Sequence, residues 1–545
     1  MQLGMLLRRV RGGALGNSLI VMAGFVLSRV TGLLRDMVAT YLFGTSAEAA
    51  AYRTAFSVVD LLYLVIIGGA LGSSFIPVFI ETWERDGKER AWQVASAVVT
   101  WSLLVLSIAS IVIFLAAPWL ITTLYGGQDF DQATLELSTQ LTRLFLLSPL
   151  LLGLGGLAMA ALNARDRFTL PAMAPSIYNL GIIGGALLGQ ALGLGIWGMA
   201  WGVVIGALLY LLVQIPGLNA LEMRLRLHLG RGIEQVKRIA RQMGPRVLGQ
   251  AAAHISLVVT LVLAARLSDG TAKVAGLGYA YQLMLLPYGI FSLSLSQVAF
   301  PRLARLVAEE RYDDFSNDIR RTLGTILWLT LPATAILLTL GVPISRVLFQ
   351  RGAFDTASLQ HTTNALMGYA LALPAFAASE ILIRAFYAMQ RTWTPVLIGI
   401  GQVGLNMSLG IFFLRAGNDV TSLAFAFSIA NNIEALLLLL VLGNAIPGIW
   451  AQPALWRSVG VAVIASGVIG GGLLLLTLLS QGAIPALTAT HPYVWTEDMI
   501  ALSAWLIGAL ALAGAAYLGL SLIGRAAPAE ALRVRVRGGG EARRF

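Results

Sequence analysis

Residues 93–120 read QVASAVVTWSLLVLSIASIVIFLAAPWL, a run with no charged side chain anywhere along it. At about 1.5 Å of rise per residue, a helix of this length exceeds the roughly 30 Å hydrocarbon layer of a bilayer. Moving outward, apolar runs of similar character recur between polar breaks. They predict fourteen spans, near 17–43, 51–81, 93–120, 139–162, 169–192, 194–216, 244–265, 274–300, 322–344, 362–388, 394–414, 419–445, 457–479 and 499–524. The first run is too long for a cleavable leader, contains Arg29 and is followed by many further spans. Composition agrees. Of 545 residues, 57% are hydrophobic and 12% charged, with a mean hydropathy of +0.78. Soluble domains carry about 25% charged residues, so a water-soluble enzyme is excluded. The chain reads as an all-α polytopic membrane protein.

Fourteen spans place both termini on one side. The loops on that side hold 28 lysines and arginines against 5 in the opposite loops, and Arg29, Arg35, Arg53, Arg143 and Arg384 fall inside spans. Positively charged loops stay in the cytoplasm, so both termini are expected there, in a bacterial inner membrane. The net charge of +11 then reflects topology and contact with anionic lipid. No basic stripe with interleaved stacking aromatics points to nucleic acid. IEQVKRIARQM (233–243) places Ile233, Val236, Ile239, Ala240 and Met243 on one helical face, with Lys237, Arg238 and Arg241 opposite. It reads as an interfacial linker.

The sequence also repeats at an offset of 224 residues. ALNARDRFTLP (161–171) aligns with AFYAMQRTWTP (385–395), and LLYLVIIGGALGSSFIP (61–77) with LLPYGIFSLSLSQVAFP (285–301). Two lobes follow: 1–216 with helices 1–6, and 244–447 with helices 7–12. They are joined by a basic linker, 217–243, and followed by helices 13 and 14 (448–524) and a basic tail (525–545). Six helices per lobe is an even number, so the halves are parallel repeats about the membrane normal. Two pseudo-symmetric lobes around a central cavity are the architecture of a transporter. Glycine-rich stretches such as GIIGG (181–185) permit close helix packing.

Ionisable groups at bilayer depth cost at least about 2.5–3.5 kcal/mol and face a cavity or a partner. SRVTGLLRD (28–36) is the richest such cluster. Arg29 lies roughly 18 Å into the first span and shares a face with Asp36, while Arg35 points about 120° away. Arginine offers a planar fork suited to phosphate, so Arg29 and Arg35 are candidates for an anionic head group, with Asp36 orienting one of them. The alternative is that Arg35 and Asp36 form a local pair at the helix end. Asp60 sits among apolar neighbours and needs a positive partner, for which Arg29 is the candidate. Glu380 and Arg384, four residues apart with the acid first, form the favourable intrahelical pair. Asn406, Asn431, Asn432 and Glu434 could ligate Na⁺ through oxygen; helix–helix hydrogen bonding is the competing account. Cysteine is absent, and the four histidines lack metal-ligand spacing. With no P-loop, catalytic triad or HExxH pattern, neither an enzyme nor a self-powered ATP pump is expected, and no metal or cofactor is indicated.

SRVTGLLRD (28–36) followed by LFG (42–44), QMGPRVLG (242–249), FQRGAFD (349–355) and RAFYAMQRTWTP (384–395) together resemble the MurJ/MviN family of lipid II flippases. That family belongs to the multidrug/oligosaccharidyl-lipid/polysaccharide exporter superfamily. The resemblance implies alternating access that moves an undecaprenyl-diphosphate-linked peptidoglycan precursor outward. Arg29 and Arg35 would stand as cavity arginines, and helices 13 and 14 would form a lipid-facing groove. It also implies resetting by membrane potential with Na⁺ or H⁺, peptidoglycan synthesis as the setting, cell-wall synthases as partners and a monomeric carrier. Where the family carries charge in helices 2 and 8, this sequence has Ala50, Tyr63, Gln282 and Leu285; Gln282 keeps hydrogen-bond donors without charge. Other readings are a flippase for another polyprenyl-linked oligosaccharide, a multidrug or cation antiporter of the same superfamily, and a non-transporting envelope-assembly scaffold.

Overall fold

The computed structural model describes residues 14–66, 70–127, 130–230, 232–417, 419–489, 491 and 495–533. Most of the basic tail, 534–545, lies outside them. The chain divides into two compact units, Met1–Val258 and Val259–Phe545. The first contains α1 (Ala14–Phe43), α2 (Ala47–Ile66), α3 (Ala70–Asp86), α4 (Lys88–Tyr125), α5 (Gln132–Phe145), α6 (Leu147–Asn163), α7 (Thr169–Ala191), α8 (Ile196–Leu212), the short α9 (Ile215–Ala220) and most of α10 (Glu234–Ala264). The second continues with α11 (Gly270–Pro287), a π-helix (Tyr288–Leu293), α12 (Ser294–Ala308), α13 (Tyr312–Phe349), α14 (Thr356–Ala370), α15 (Leu373–Ala388), α16 (Trp393–Arg415), α17 (Val420–Ala445), α18 (Pro453–Ser480) and α19 (Trp495–Ile523). No strand occurs among the described residues.

Several expected boundaries change. Within the span expected at 51–81 the described residues form α2 and α3, and α5 and α6 together make one apolar span, Gln132–Asn163, over that expected at 139–162. The span at 362–388 is α14 and α15, bent by 49° at their junction. Among the described residues, ten helices are long and apolar enough to cross a bilayer, or eleven with that bent pair. Fourteen is therefore not reached by length and apolarity alone. The amphipathic stretch 233–243 is not a separate linker element. Helix α10 runs unbroken from Glu234 into the apolar run that follows, and the division between units falls inside it.

The 224-residue repeat is written into the backbone. Helix α4 spans 88–125 and α13 spans 312–349; α7 spans 169–191 and α16 spans 393–415. Equivalent caps recur as well. The N–H of Thr134 donates to Asp131 Oδ1 at the start of α5, and the N–H of Ser358 donates to Asp355 Oδ1 at the start of α14, each at 2.8 Å. After α6 and α15 the chain turns through left-handed Asp166 (φ 57°) and Gln390 (φ 59°), a conformation uncommon outside glycine. At both places a 2.9 Å backbone bond closes the turn, Arg167 N–H to Leu162 O and Arg391 N–H to Phe386 O.

Local packing is not repeated so faithfully. On α7 and α8, Gly181, Gly185 and Gly189 face Gly206, Gly202 and Gly198. A Cβ added at Gly185 would lie 2.5 Å from Gly202 Cα, so the two backbones touch. In the second unit, α13 packs against α18 and α19 through Trp328, Ala462, Ala465 and Tyr517. The Trp328 indole N–H donates to Ser521 Oγ at 3.0 Å. Arg346, wholly buried at the far end of α13, donates to Ala486 O (2.7 Å) and His491 O (2.8 Å), fastening the turn between α18 and α19. Helix α4 leaves Ile108, Ile111, Val112, Leu115 and Trp119 more than half exposed, as lipid-facing surface requires.

Candidate functional site: embedded arginines of the first unit

Helix α1 brings SRVTGLLRD against α7. Gly24 permits the approach, since a Cβ there would sit 2.5 Å from Ala172 Cβ. Asn179 of α7 reaches into the charged stretch. Its amide nitrogen lies 3.2 Å from both Ser28 O and Thr31 Oγ1, donating to each, and its Oδ1 accepts Arg35 NH1 at 3.2 Å. Arg35 Nε and NH2 both donate to Asp36 Oδ1, at 3.0 and 2.8 Å. The arginine that Asp36 orients is therefore its direct neighbour, and Asn179 supplies a second hold that the sequence reading omits. A guanidinium has five N–H groups, and three have protein acceptors here. The remaining two, one on NH1 and one on NH2, have no acceptor among the described residues and are the donors an anion could take up. The Arg35 side chain is 19% exposed and that of Asp36 14%, so the pair is neither solvent-screened nor sealed. Arg29 lies six residues earlier and is half-buried.

Asp60 on α2 receives a different partner from the one expected. His254 of α10 places Nε2 3.5 Å from Asp60 Oδ2, while Arg35 and Arg53 add their fields from a greater distance. The arginine anticipated for this carboxylate, Arg29, is not the contact. The sequence signal for this contact is a lone imidazole in the apolar run AAAHISL. Tyr52, which also sits in the field of Arg35, stacks on Phe56 and meets Phe145 edge-on at 5.2 Å. Helices α1, α2, α7 and α10 thus assemble a mixed-charge cluster whose arginines exceed its carboxylates.

The second unit holds a separate, neutral pair. Arg384 Nε and NH2 donate to Glu380 Oε1 at 2.9 and 2.6 Å, and Tyr288 Oη donates to Glu380 Oε2 at 2.9 Å. Tyr288 opens the π-helix, and Ser292, four residues on, donates to Ala377 O at 2.6 Å; the widened turn directs both side chains at α15. Gln282 lies six residues before Tyr288 and is half-buried; none of the pair's described hydrogen bonds reaches it. Leu285 is half-buried and Ala50 fully buried, while the Tyr63 side chain lies outside what is described.

The three asparagines considered for a cation are all engaged as donors. Asn406 Nδ2 donates to Thr260 Oγ1 at 3.1 Å. Asn432 Nδ2 donates to Leu371 O (3.1 Å) and Ser428 O (2.8 Å), and Asn431 Nδ2 donates to Phe427 O at 2.7 Å. Glu434 is half-buried on α17. Among the described residues, no group of three or more histidines, aspartates and glutamates could hold a metal ion.

Two helical units whose helix boundaries recur at an offset of 224 residues, with many spans long and apolar enough to cross a bilayer, define an all-α polytopic membrane protein. The family model described as lipid II flippase MurJ matches residues 39–521. The lipid II flippase MurJ of Burkholderia cenocepacia is 28% identical over 467 residues, covering 84% of this chain and 89% of that protein. The probable lipid II flippase MurJ of Bdellovibrio bacteriovorus is 27% identical over 471 residues, covering 85% and 88%. A solved lipid II flippase MurJ in its inward closed conformation superposes with a TM-score of 0.73 at 24% identity, covering 93% of this chain and 98% of that one. An inward-facing multidrug-resistance MATE transporter of the MOP superfamily gives 0.63 at 15% identity, covering 79% and 96%. The chain belongs to the lipid II flippase MurJ family. Its class is accordingly transport, not catalysis.

Proposed function

We propose that this protein carries undecaprenyl-diphosphate-linked peptidoglycan precursor from the inner to the outer leaflet of the bacterial cytoplasmic membrane by alternating access, with both termini in the cytoplasm. The observation that carries the reading is Arg35. Asp36 and Asn179 fix its guanidinium on three N–H groups and leave one N–H on each terminal nitrogen to donate to a diphosphate. Arg29 adds a second cation on the same helix. The membrane potential, with Na⁺ or H⁺, resets the carrier; the surplus of arginine over carboxylate in this cluster is what a potential can act on. Cell-wall synthases are the proposed partners, and the carrier acts as a monomer.

Depleting a host's own flippase and expressing this chain tests the proposal through outward exposure of lipid II. Rescue should fall at least tenfold with Arg35→Ala, about the 1.5–3 kcal/mol of one charge-assisted hydrogen bond, and vanish with Arg29→Ala added. Full rescue by that double variant would overturn the binding mode. A second reading, a flippase for another polyprenyl-linked oligosaccharide, is favoured by the uncharged residues Ala50, Tyr63, Gln282 and Leu285. Gln282→Arg separates the two: increased lipid II export supports the first reading, and unchanged export with a different glycan carried supports the second.

A further inference from the structure

Between α9 and α10 the chain runs back along the first half of α4. Three α4 side chains hold it there. Ser96 Oγ accepts the Arg226 N–H and Thr100 Oγ1 the His228 N–H, both at 3.1 Å, and the Trp101 indole donates to Leu229 O at 2.9 Å. Gly230 then turns with φ +58° against Ala97, where a Cβ would stand only 2.6 Å from the alanine methyl. Helix α10 starts beside α4, and a cavity of about 630 Å³ remains between them. Its walls include Val98 and Val105 of α4, Leu229, and Val236, Ala240 and Met243 of α10. Among the described residues of its lining, Lys237 is the one that carries a charge.

Depth and charge indicate what fills this space. The last charge on α4 before the apolar run is Arg90, and Val98 lies eight residues further, about 12 Å along the helix. That is the boundary between head groups and acyl chains, where indoles such as Trp101 collect. Arg241, one helical turn after Lys237 on α10, is exposed as Lys237 is. Arg238 is already committed to Glu81 at 2.9 Å, Glu234 lies 3.8 Å from Lys237, and Asp86 accepts from Gln235 at 3.4 Å. An apolar pocket under a cationic mouth fits a molecule with a hydrocarbon tail and an anionic head. Clefts of roughly 300–1,000 Å³ enclose ligands of that scale.

We propose that this groove is a binding site for an anionic diacyl phospholipid of the cytoplasmic leaflet, one acyl chain lying in the cavity and the phosphate on Lys237 and Arg241. The leaflet follows from the charge bias of the loops. The site lies at the start of α10, the helix that carries His254 to Asp60, and its occupant therefore braces that helix.

The test uses the full chain in nanodiscs with phosphatidylglycerol or phosphatidylcholine bearing a photoactivatable diazirine in one acyl chain. Adducts should map to residues 98–105 and 233–247, with phosphatidylglycerol favoured about fivefold per cation, the ~1 kcal/mol each lysine or arginine supplies near an anionic surface. Lys237→Glu with Arg241→Glu should abolish the preference while leaving adducts on α18 and α19 unchanged. Ala240→Trp, or independently Val105→Trp on the opposite wall, should remove adducts from the groove alone. Equal labelling by both lipids, or labelling indifferent to both tryptophans, would overturn the proposal. So would labelling confined to a diazirine polyprenyl phosphate, which would assign the groove to a substrate tail.

Discussion

The two repeats share their helix boundaries, their capping aspartates and their left-handed turns, yet they distribute charge in opposite ways. At an offset of 224, Arg35 and Asp36 of α1 correspond to Val259 and Thr260 of α10, and Asp60 corresponds to Met284. Conversely, Glu380 and Arg384 of α15 correspond to Gly156 and Ala160 of α6, and the Lys273–Asp419 ion pair (2.7 Å) to Ala49 and Gly195. A charge required to build the helical frame would recur in both copies. None of these does, so the shared frame is specified by apolar patterning and caps and not by these charges. The tightest packing is likewise one-sided: where α7 has Gly181, Gly185 and Gly189, α16 has Leu405, Leu409 and Phe413.

The strongest way to break this comparison is at the glycine contact. Gly185→Leu drives a side chain into the Gly202 backbone and should cost upward of about 3 kcal/mol, the upper end of overpacking. The expected readout is a collapse of the monodisperse peak and of the thermal midpoint in detergent. Leu409→Met, at the equivalent place in the second repeat, should cost less than about 1.5 kcal/mol.

Next in size is the neutral pair. Arg384→Ala strands Glu380 with only Tyr288 and should lower stability by about 2 kcal/mol, in the range of a hydrogen bond to a charged group. Glu380→Ala combined with Arg384→Ala imitates the uncharged Gly156 and Ala160 of the first repeat and should cost less than the single change. A double-mutant cycle on unfolding measures this. A double variant as damaged as the single would show that the pair is not self-contained.

Asp131→Ala and Asp355→Ala should each cost ~1 kcal/mol, the usual worth of a helix N-cap. Their near equality is the sharp part of the prediction, because the two caps have the same geometry. Unequal losses would show that the repeats differ in local stability.

The smallest effect is in acid. Burial by itself would lift the Asp419 carboxyl, but Lys273 and the Val420 N–H outweigh it and hold Asp419 below the ordinary carboxylate range. A lowered folded value stabilises fully above the unfolded pKa, about 3.9, and that stabilisation is lost as pH falls through the folded value. The melting temperature should therefore fall below about pH 4, and Asp419→Asn should flatten that limb. Because the first repeat has Gly195 there, Gly195→Ala should leave the acid limb unchanged.

The local features were legible because their causes are local. Apolar runs, the offset of 224 and the i,i+4 spacing of Glu380 and Arg384 all lie along the chain. What escaped depends on which helices touch. Asn179 reaches Arg35 across 144 positions, and His254 meets Asp60 from nearly two hundred residues away. Neither contact has a periodicity to announce it. The continuity of α10 was missed for a related reason: a change in surface character looks like a boundary, although backbone hydrogen bonding passes straight through it. A solitary amide in SIYNLGII and a solitary imidazole in AAAHISL were the available hints.

Arg346 carries a practical consequence. Its buried guanidinium grips the carbonyls of Ala486 and His491, while Ser521 and Tyr517 anchor the other end of the same hairpin to Trp328. The last two helices are thus bolted to α13 at both ends, and a fluorophore placed on their outer surface would ride with the second repeat as a passenger. Its tilt would follow that repeat through a working cycle without a label entering the path of the cargo.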